Sequence, residues 1–326
     1  MNLHENQQLF QDAVIATAER LGIPEIYVEK DYWVTVALHA IFHSVIAGEA
    51  VFKGGTALSK CHRLIDRFSE DVDIVVLAQR NESRNQLKSK LKAITEAVAR
   101  IIPEEEIVGI TNKRGMIRKT AHKYPRQDFT GIFGQVREHI VIEASWLGSA
   151  EPHGLATVCS YITEMMMAQG RDELIGQYSI LPFTVNVLSK ERTLCEKIMS
   201  LVRFSQTENP YTDLANKIRH VYDLHQMLKD ERVISFFDSP NFDEMLIKVG
   251  MNDRKSFKNN NLWLANHPAK AIIFSHTEDT WSKIKTAYRT TFRELVLGKL
   301  PTEFELINTM KKIYSRLQHI EWKIPE

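Results

Sequence analysis

Cysteine is scarce in this chain: Cys61, Cys159 and Cys195 lie far apart, and no CxxC pair occurs. An odd, scattered set argues against a disulfide framework and a zinc knuckle, and fits a reducing cytosol. Long apolar runs are also missing. The most apolar early stretch, Val34 to Phe52, is interrupted by His39, His43 and Glu49, so nothing reads as a membrane span. The opening MNLHENQQLFQDAVIATAERLG puts acidic and amide groups where a secretory signal needs a basic start and an unbroken apolar core. The expectation is a cytoplasmic protein with no membrane partner. Neither charge sign dominates: 42 Lys and Arg face 41 Asp and Glu, for a net +1. Bulk charge therefore names no partner, and local patches must do so. Internal repeats and low-complexity tracts are absent, as is the GxxxxGK[ST] spacing of a Walker A loop. What remains is 326 residues, 44% hydrophobic and 25% charged, enough for one large domain or two ordinary ones.

Periodicity gives the organisation. Residues 7–21 carry Leu9, Phe10, Val14, Ile15, Ala18 and Leu21 at helical spacing, closed near Gly22. A helix is expected over 27–46, then a short strand Ala50 to Phe52, a Gly-Gly turn, and a helix from Thr56 to about Asp66. Val72 to Leu77 is β-branched and reads as a strand, 82–101 as a long helix. IFGQVREHIVIEASWL, at 132–147, looks like a hairpin whose second strand is His139 to Trp146. FTVNVLS at 183–189 reads as another strand. Beyond it the pattern is helical: 190–205, 211–229, 241–250, 278–297 and 302–318. The fold class is α+β followed by an all-α part, with domains expected at 1–189 and 190–326.

Two adjacent features carry chemistry. VFKGGTALSK, at 51–60, ends a strand in Gly54-Gly55 with Thr56 placed for a helix N-cap. Free backbone N–H groups there can cradle a phosphate. RFSEDVDIVVL, at 67–77, holds Asp71 and Asp73 one residue apart at the start of a strand. Residues i and i+2 share a strand face about 6–7 Å apart. Like charges so close repel unless a cation lies between them, and two carboxylates suit one or two Mg²⁺ ions. Val72 and Ile74 would face the buried side. Glu143, in HIVIEASW, stands mid-strand among apolar neighbours and is a third metal ligand or the base for an attacking hydroxyl. Each feature also has a plainer reading: an acidic turn, an ordinary Gly-Gly turn, a glutamate on a solvated edge.

A basic run occupies 113–126, KRGMIRKTAHKYPR, with Lys113, Arg114, Arg118, Lys119, Lys123 and Arg126 and no acid. It can track a phosphodiester backbone while Tyr124 and Phe129 stack on bases, with Arg63 and Arg67 adding charge. A solvated loop fits the same residues.

Together, a GG turn, a DxD about fifteen residues later and a third acid on a later strand resemble the polymerase-β-like nucleotidyltransferase superfamily. FKGGTALSK…RFSEDVDI resembles more closely the AbiEii/AbiGii nucleotidyltransferase toxins of type IV toxin–antitoxin and phage-defence systems. VEKDYWVTVAL at 28–38 is similar to that family's lead-in helix. FTVNVLSKERTLCEKIMSLVRF at 183–204 resembles its lysine motif, and KIRHVYDLHQML at 217–228 its aspartate motif. AYRTTFRELVLGKLPTEFELI also has the family's look, so the resemblance spans roughly residues 25–315.

The resemblance implies a polymerase-β-like core with a mixed sheet, and an enzyme that transfers NMP from an NTP to a hydroxyl with release of pyrophosphate. Asp71, Asp73 and Glu143 would hold Mg²⁺, with Gly54, Gly55, Thr56 and Lys197 on the triphosphate. Lys197 follows a strand on a helix, where its amine acts as a point charge. Asp223 would bind nucleotide or orient an active-site group, or else pair with Arg219 one turn earlier. Relatives often carry R-D-x-x-D here, where this chain has Arg219, His220 and Asp223. The 190–326 domain would contribute Lys197 and Asp223 to the site. The implied acceptor is the 3′ end of tRNA, with translation blocked, and the implied partner is a cognate antitoxin of winged-helix type. Two other readings fit the chain: a non-catalytic RNA- or protein-binding module, and a transferase acting on a protein or small molecule.

Overall fold

The computed structural model describes residues 2–127, 129, 136–258 and 260–324. Two units emerge from the packing. The first comprises Met1–His62, Phe68–Trp146 and His153–Val187, the second Arg63–Arg67, Leu147–Pro152 and Leu188–Glu326.

In the first unit, helix α1 (Gln7–Leu21) starts where the Asn6 side chain accepts the Leu9 N–H and ends at Gly22 in the left-handed region. Helix α2 (Glu25–Phe42) is apolar nearly all round and nearly all of it is buried, as expected for a helix inside a core. Strand β1 (Ala50–Lys53) runs directly into α3 (Gly54–Lys60), a shorter helix than expected that begins two residues earlier. Strand β2 (Val72–Val76) precedes α4 (Arg84–Ala99), which a Ser83/Gln86 capping box opens. There follow β3 (Glu104–Glu105), β4 (Ile117–Lys123), β5 (His139–Ser145), β6 (His153–Val158), α5 (Tyr161–Ala168), α6 (Asp172–Gln177) and β7 (Phe183–Leu188). Among the described residues they form one seven-stranded mixed sheet, ordered β3-β4-β5-β2-β1-β7-β6. β2 is parallel to β5 and antiparallel to β1, and β4 is antiparallel to β5. Alternation sends Ala50, Phe52, Val72, Ile74, Val76, Ile140, Ile142 and Ala144 into the core that α1, α2, α4 and α5 share. Val72 and Ile74 thus face inward, as expected.

In the sheet one expectation changes and another is only partly visible. Residues 117–123 of the basic run form β4, the antiparallel partner of β5, rather than a loop. Its alternation of Thr120 and His122 with Ala121 was masked in sequence by the surrounding Lys and Arg. The first arm of the hairpin expected over 132–147 falls largely outside the described residues, while its second strand is β5.

Regular structure in the second unit is helical among the described residues, apart from the end of β7 and an isolated Arg67–Val296 bridge. It comprises α7 (Lys190–Phe204), α8 (Pro210–Asn216), α9 (Ile218–Met227), α10 (Glu231–Phe237), α11 (Pro240–Ser256), α12 (Ile272–Ser275), α13 (Thr277–Ala287) and α14 (Glu303–Leu317), with short 3₁₀ and π turns. The single helix expected over 211–229 is broken at Lys217, and that over 278–297 passes into a π turn at Tyr288–Phe292. No helix among the described residues is long and apolar enough to cross a membrane.

Candidate active site

Strand register draws four charged residues of the first unit into one line. Lys53 lies opposite Asp73, Asp73 opposite Glu143, and Glu143 opposite Lys119. Residues directly opposite each other share a sheet face, so the row crosses β1, β2, β5 and β4 on one side. Asp71, two residues before Asp73, points to that side as well. The three acids expected to meet are therefore carried by adjacent strands, flanked by a lysine at each end of the row.

Burial raises the Asp73 carboxyl to about 7, with Asp71 and Glu143 pushing the same way and Lys53 and Lys119 opposing them. The neighbouring acids have found cations. Lys119 Nζ lies 3.3 Å from Glu143 Oε2, and the Arg137 guanidinium donates to Asp71 Oδ1. Lys53 and Arg137 were not picked out in sequence. Lys53 directly precedes the glycine turn, which was a usable signal; Arg137 is placed only by the tertiary fold. Among the described residues no three His, Cys, Asp or Glu side chains form a ready-made metal cage. The donor set nonetheless suits a hard cation, being all carboxylate oxygen, with one member that resists ionisation through burial first and its acidic neighbours second.

The glycine turn touches this row. Gly54 has φ +82°, and a Cβ there would stand 2.2 Å from Asp73 Oδ2. Only glycine lets the turn pass so close to that carboxylate. Gly54→Ala is expected to lower transfer by about 100-fold or more, the scale of an ångström-sized displacement of a reacting group. The variant's activity and melting curve, measured together, check this: near-normal activity would show that Asp73 tolerates the shift. Gly55 sits beside it in the first turn of α3 and is half-buried. Thr56 has a different place from the one expected. It lies inside α3 and is buried, and its hydroxyl donates to the Asp71 carbonyl at 2.6 Å. With that proton committed, Ser69 Oγ–H donates to Thr56 Oγ1 at 3.0 Å. Thr56 thus ties the glycine turn to the aspartate strand instead of capping α3.

In the second unit Lys197 and Asp223 do come together. Lys197 Nζ donates to Asp223 Oδ2 at 2.6 Å. Arg67 grips the same carboxylate with both oxygens, Nε to Oδ1 at 2.7 Å and Nη2 to Oδ2 at 2.8 Å. Asp223 is fully buried, Arg67 and Lys197 almost so. Burial alone would raise the Asp223 carboxyl, but Arg67 and Lys197 hold it well below the usual carboxylate range. This differs from the Arg219 pairing weighed in sequence, and it recasts Asp223 as a holder of two cations. His220, one turn earlier on α9, is kept neutral by burial and by Lys197, and its Nδ1 is buried without a partner among the described residues.

The basic run divides between the two faces of β4. Lys119 and Lys123 share the face of the acid row, while Arg118 points away and donates to Thr95 Oγ1 at 2.7 Å. Lys113 pairs with Glu104 and Arg126 with Glu138. Arg114 and Lys123 are exposed. Tyr124, expected to stack on a base, is buried against the ring of Trp33, and Phe129 packs against the core. A large aromatic in a well-filled core gains more from burial than from waiting at a surface.

Residues 36–307 match the family described as nucleotidyl transferase AbiEii toxin, Type IV TA system. Among solved structures the chain is similar to MenT4, a nucleotidyltransferase toxin from Mycobacterium tuberculosis H37Rv. The identity is 15%, the TM-score 0.44, and the match covers 94% of this chain and 98% of that one. Comparison with curated protein sequences returns no match.

Proposed function

Because the chain belongs to the AbiEii nucleotidyl transferase toxin family of type IV toxin–antitoxin systems, it is a nucleotidyltransferase that uses an NTP and has an antitoxin partner, and we propose that it transfers NMP to the 3′ end of tRNA in the cytoplasm, with Mg²⁺ as cofactor. The single observation that supports the chemistry is the row of Lys53, Asp73, Glu143 and Lys119 across four strands, with Asp71 beside it.

Asp71 and Asp73 would hold the metal, with Glu143 completing the set. A bound Mg²⁺ would supply the positive charge that lets a triphosphate approach these carboxylates. The acceptor oxygen attacks the α-phosphorus, and the bond from that phosphorus to the bridging oxygen breaks, so pyrophosphate leaves. The hydroxyl proton passes to Glu143. Gly54 and Gly55 bring backbone N–H groups to phosphate oxygens. Lys197 acts on the triphosphate as a point charge, with Asp223 and Arg67 as its positioning partners. Capped at its 3′ end, tRNA can no longer be aminoacylated, and translation stops. The antitoxin is of the winged-helix type.

Incubation with total RNA and each labelled NTP in turn tests this directly. Label in a tRNA-sized band for one NTP supports the reading; label only in protein or small-molecule fractions overturns the acceptor.

Lys119 pairs with Glu143, so the RNA contact is better probed at exposed Arg114 and Lys123. Reversing both to glutamate is expected to raise the KM for RNA and flatten the fall of activity with salt, because fewer counterions are released. The KM for NTP should hold. Equal salt slopes for both proteins would make this strand end plain surface.

A further inference from the structure

Three consecutive charged residues of α2, Glu29, Lys30 and Asp31, are buried, at 0, 0 and 5% exposure. Burying a charge is costly unless it is paired or neutralised. Each is tied to a segment that carries site residues. Asp31 binds Lys60 at the end of α3, 2.6 Å away. Glu29 accepts the Gln127 N–H at 2.7 Å through Oε1, while its Oε2 has no partner among the described residues and burial raises the carboxyl to about 7. Lys30 Nζ donates to the carbonyls of Arg137 and His139, at 2.5 and 2.7 Å, and lies 3.3 Å from Glu70 Oε2. Glu70 in turn accepts the Arg137 N–H. Lys30 and Glu70 thus fix the Arg137 backbone from both sides, directly beside Asp71.

What this scaffold presents is the Arg137 guanidinium. It donates to Asp71 Oδ1 yet keeps 40% of its side chain exposed. A cation held firmly by its backbone, and at its tip by a proposed metal ligand with Glu70 Oε1 a more distant 4.0 Å away, is in competition with that metal. We propose that Arg137 is a triphosphate-binding residue of the transfer reaction, resting on Asp71 until a divalent cation claims that carboxylate. This rests on the reading that Asp71 holds the metal. Once displaced, the guanidinium stays tethered beside Asp71 and meets the phosphate oxygens that accompany the metal, for which its fork of donors is well suited.

The assignment requires opposite effects on two ligands. Arg137→Gln is expected to bind Mn²⁺ alone, followed by the EPR signal of the free ion, up to about fivefold more tightly than wild type, since a half-exposed ion pair no longer competes. The same variant should bind magnesium tripolyphosphate about tenfold more weakly, the cost of one hydrogen bond to a charged group. Arg137→Lys should recover part of the second effect. A merely structural pair would move both affinities together or neither, and either result overturns the assignment. Asp71→Asn, measured alongside, separates the two readings. If it loses Mn²⁺ while Arg137→Gln matches wild type in both titrations, only the Arg137 assignment falls. If it binds Mn²⁺ as wild type does, the metal reading falls and takes the Arg137 assignment with it.

Discussion

Asp73→Asn is expected to abolish nucleotide transfer, by about 1,000-fold or more, while leaving a protein at least as stable as the parent. The activity loss is at the upper end of what removing one electrostatic group costs. The stability gain follows from the row of acids. Burial, then Asp71 and Glu143, raise the Asp73 carboxyl from 3.8 to about 7 in the fold. A carboxyl raised on folding favours the folded state most below its unfolded value, and that contribution is lost as pH climbs from about 4 towards 7. Without divalent metal, wild type should therefore weaken over this window relative to Asp73→Asn. The gap should level off above about pH 7 at about 1–2 kcal/mol, a value reduced for partial solvent access. Melting curves of both proteins in EDTA at pH 4.5 and 8 measure it. Equal melting differences at the two pH values would mean that Asp73 ionises without strain, and a variant with near-normal transfer would remove Asp73 from the chemistry.

Much of this site was legible in the chain because local rules fixed it. The alternation around Asp73 and Glu143 put both on strand faces opposite an apolar one, and that arrangement is what the sheet shows. The family and the enzyme class followed from KGG and SEDVD together, and the match over 36–307 bears that out. The partners of those acids were not legible. Arg137 reaches Asp71 because Lys30, more than a hundred residues earlier, binds the carbonyls of 137 and 139. No local pattern encodes such a contact. The EKD triplet was quoted only as part of the lead-in helix VEKDYWVTVAL, yet it is the part of α2 that holds the site segments.

The loop form expected of the basic run failed for the opposite reason. Six cations in fourteen residues suggested a loop, but strand formation depends on side chains fitting a pleated surface, and long Lys and Arg stems satisfy that while their heads reach Glu143 or Thr95. Thr56 was misplaced because α3 begins on the glycines themselves, which carries the threonine inside the helix.

The second large effect is expected at Asp223. Two nearly buried cations, Arg67 and Lys197, share this one fully buried carboxylate. Removing it leaves both uncompensated, and breaking a buried pair from one side costs about 3–5 kcal/mol. Asp223→Ala should accordingly lower the melting point sharply at neutral pH. Replacing the cations as well should restore much of the loss: Asp223→Ala with Arg67→Met and Lys197→Met is expected to be more stable than Asp223→Ala alone, because no unpaired charge remains. The pH dependence has the opposite sign to that of Asp73. A carboxyl lowered on folding stabilises the fold above its unfolded value, near 4, and that contribution is lost as pH falls further. The gap between wild type and Asp223→Ala should therefore be full at pH 7 and narrow as the pH drops below about 4. Urea titrations of the single and triple variants across this range provide the measurement. A triple variant no more stable than the single one would show that the cluster is not held by charge pairing, and Asp223 would lose its assignment as the group that positions Lys197.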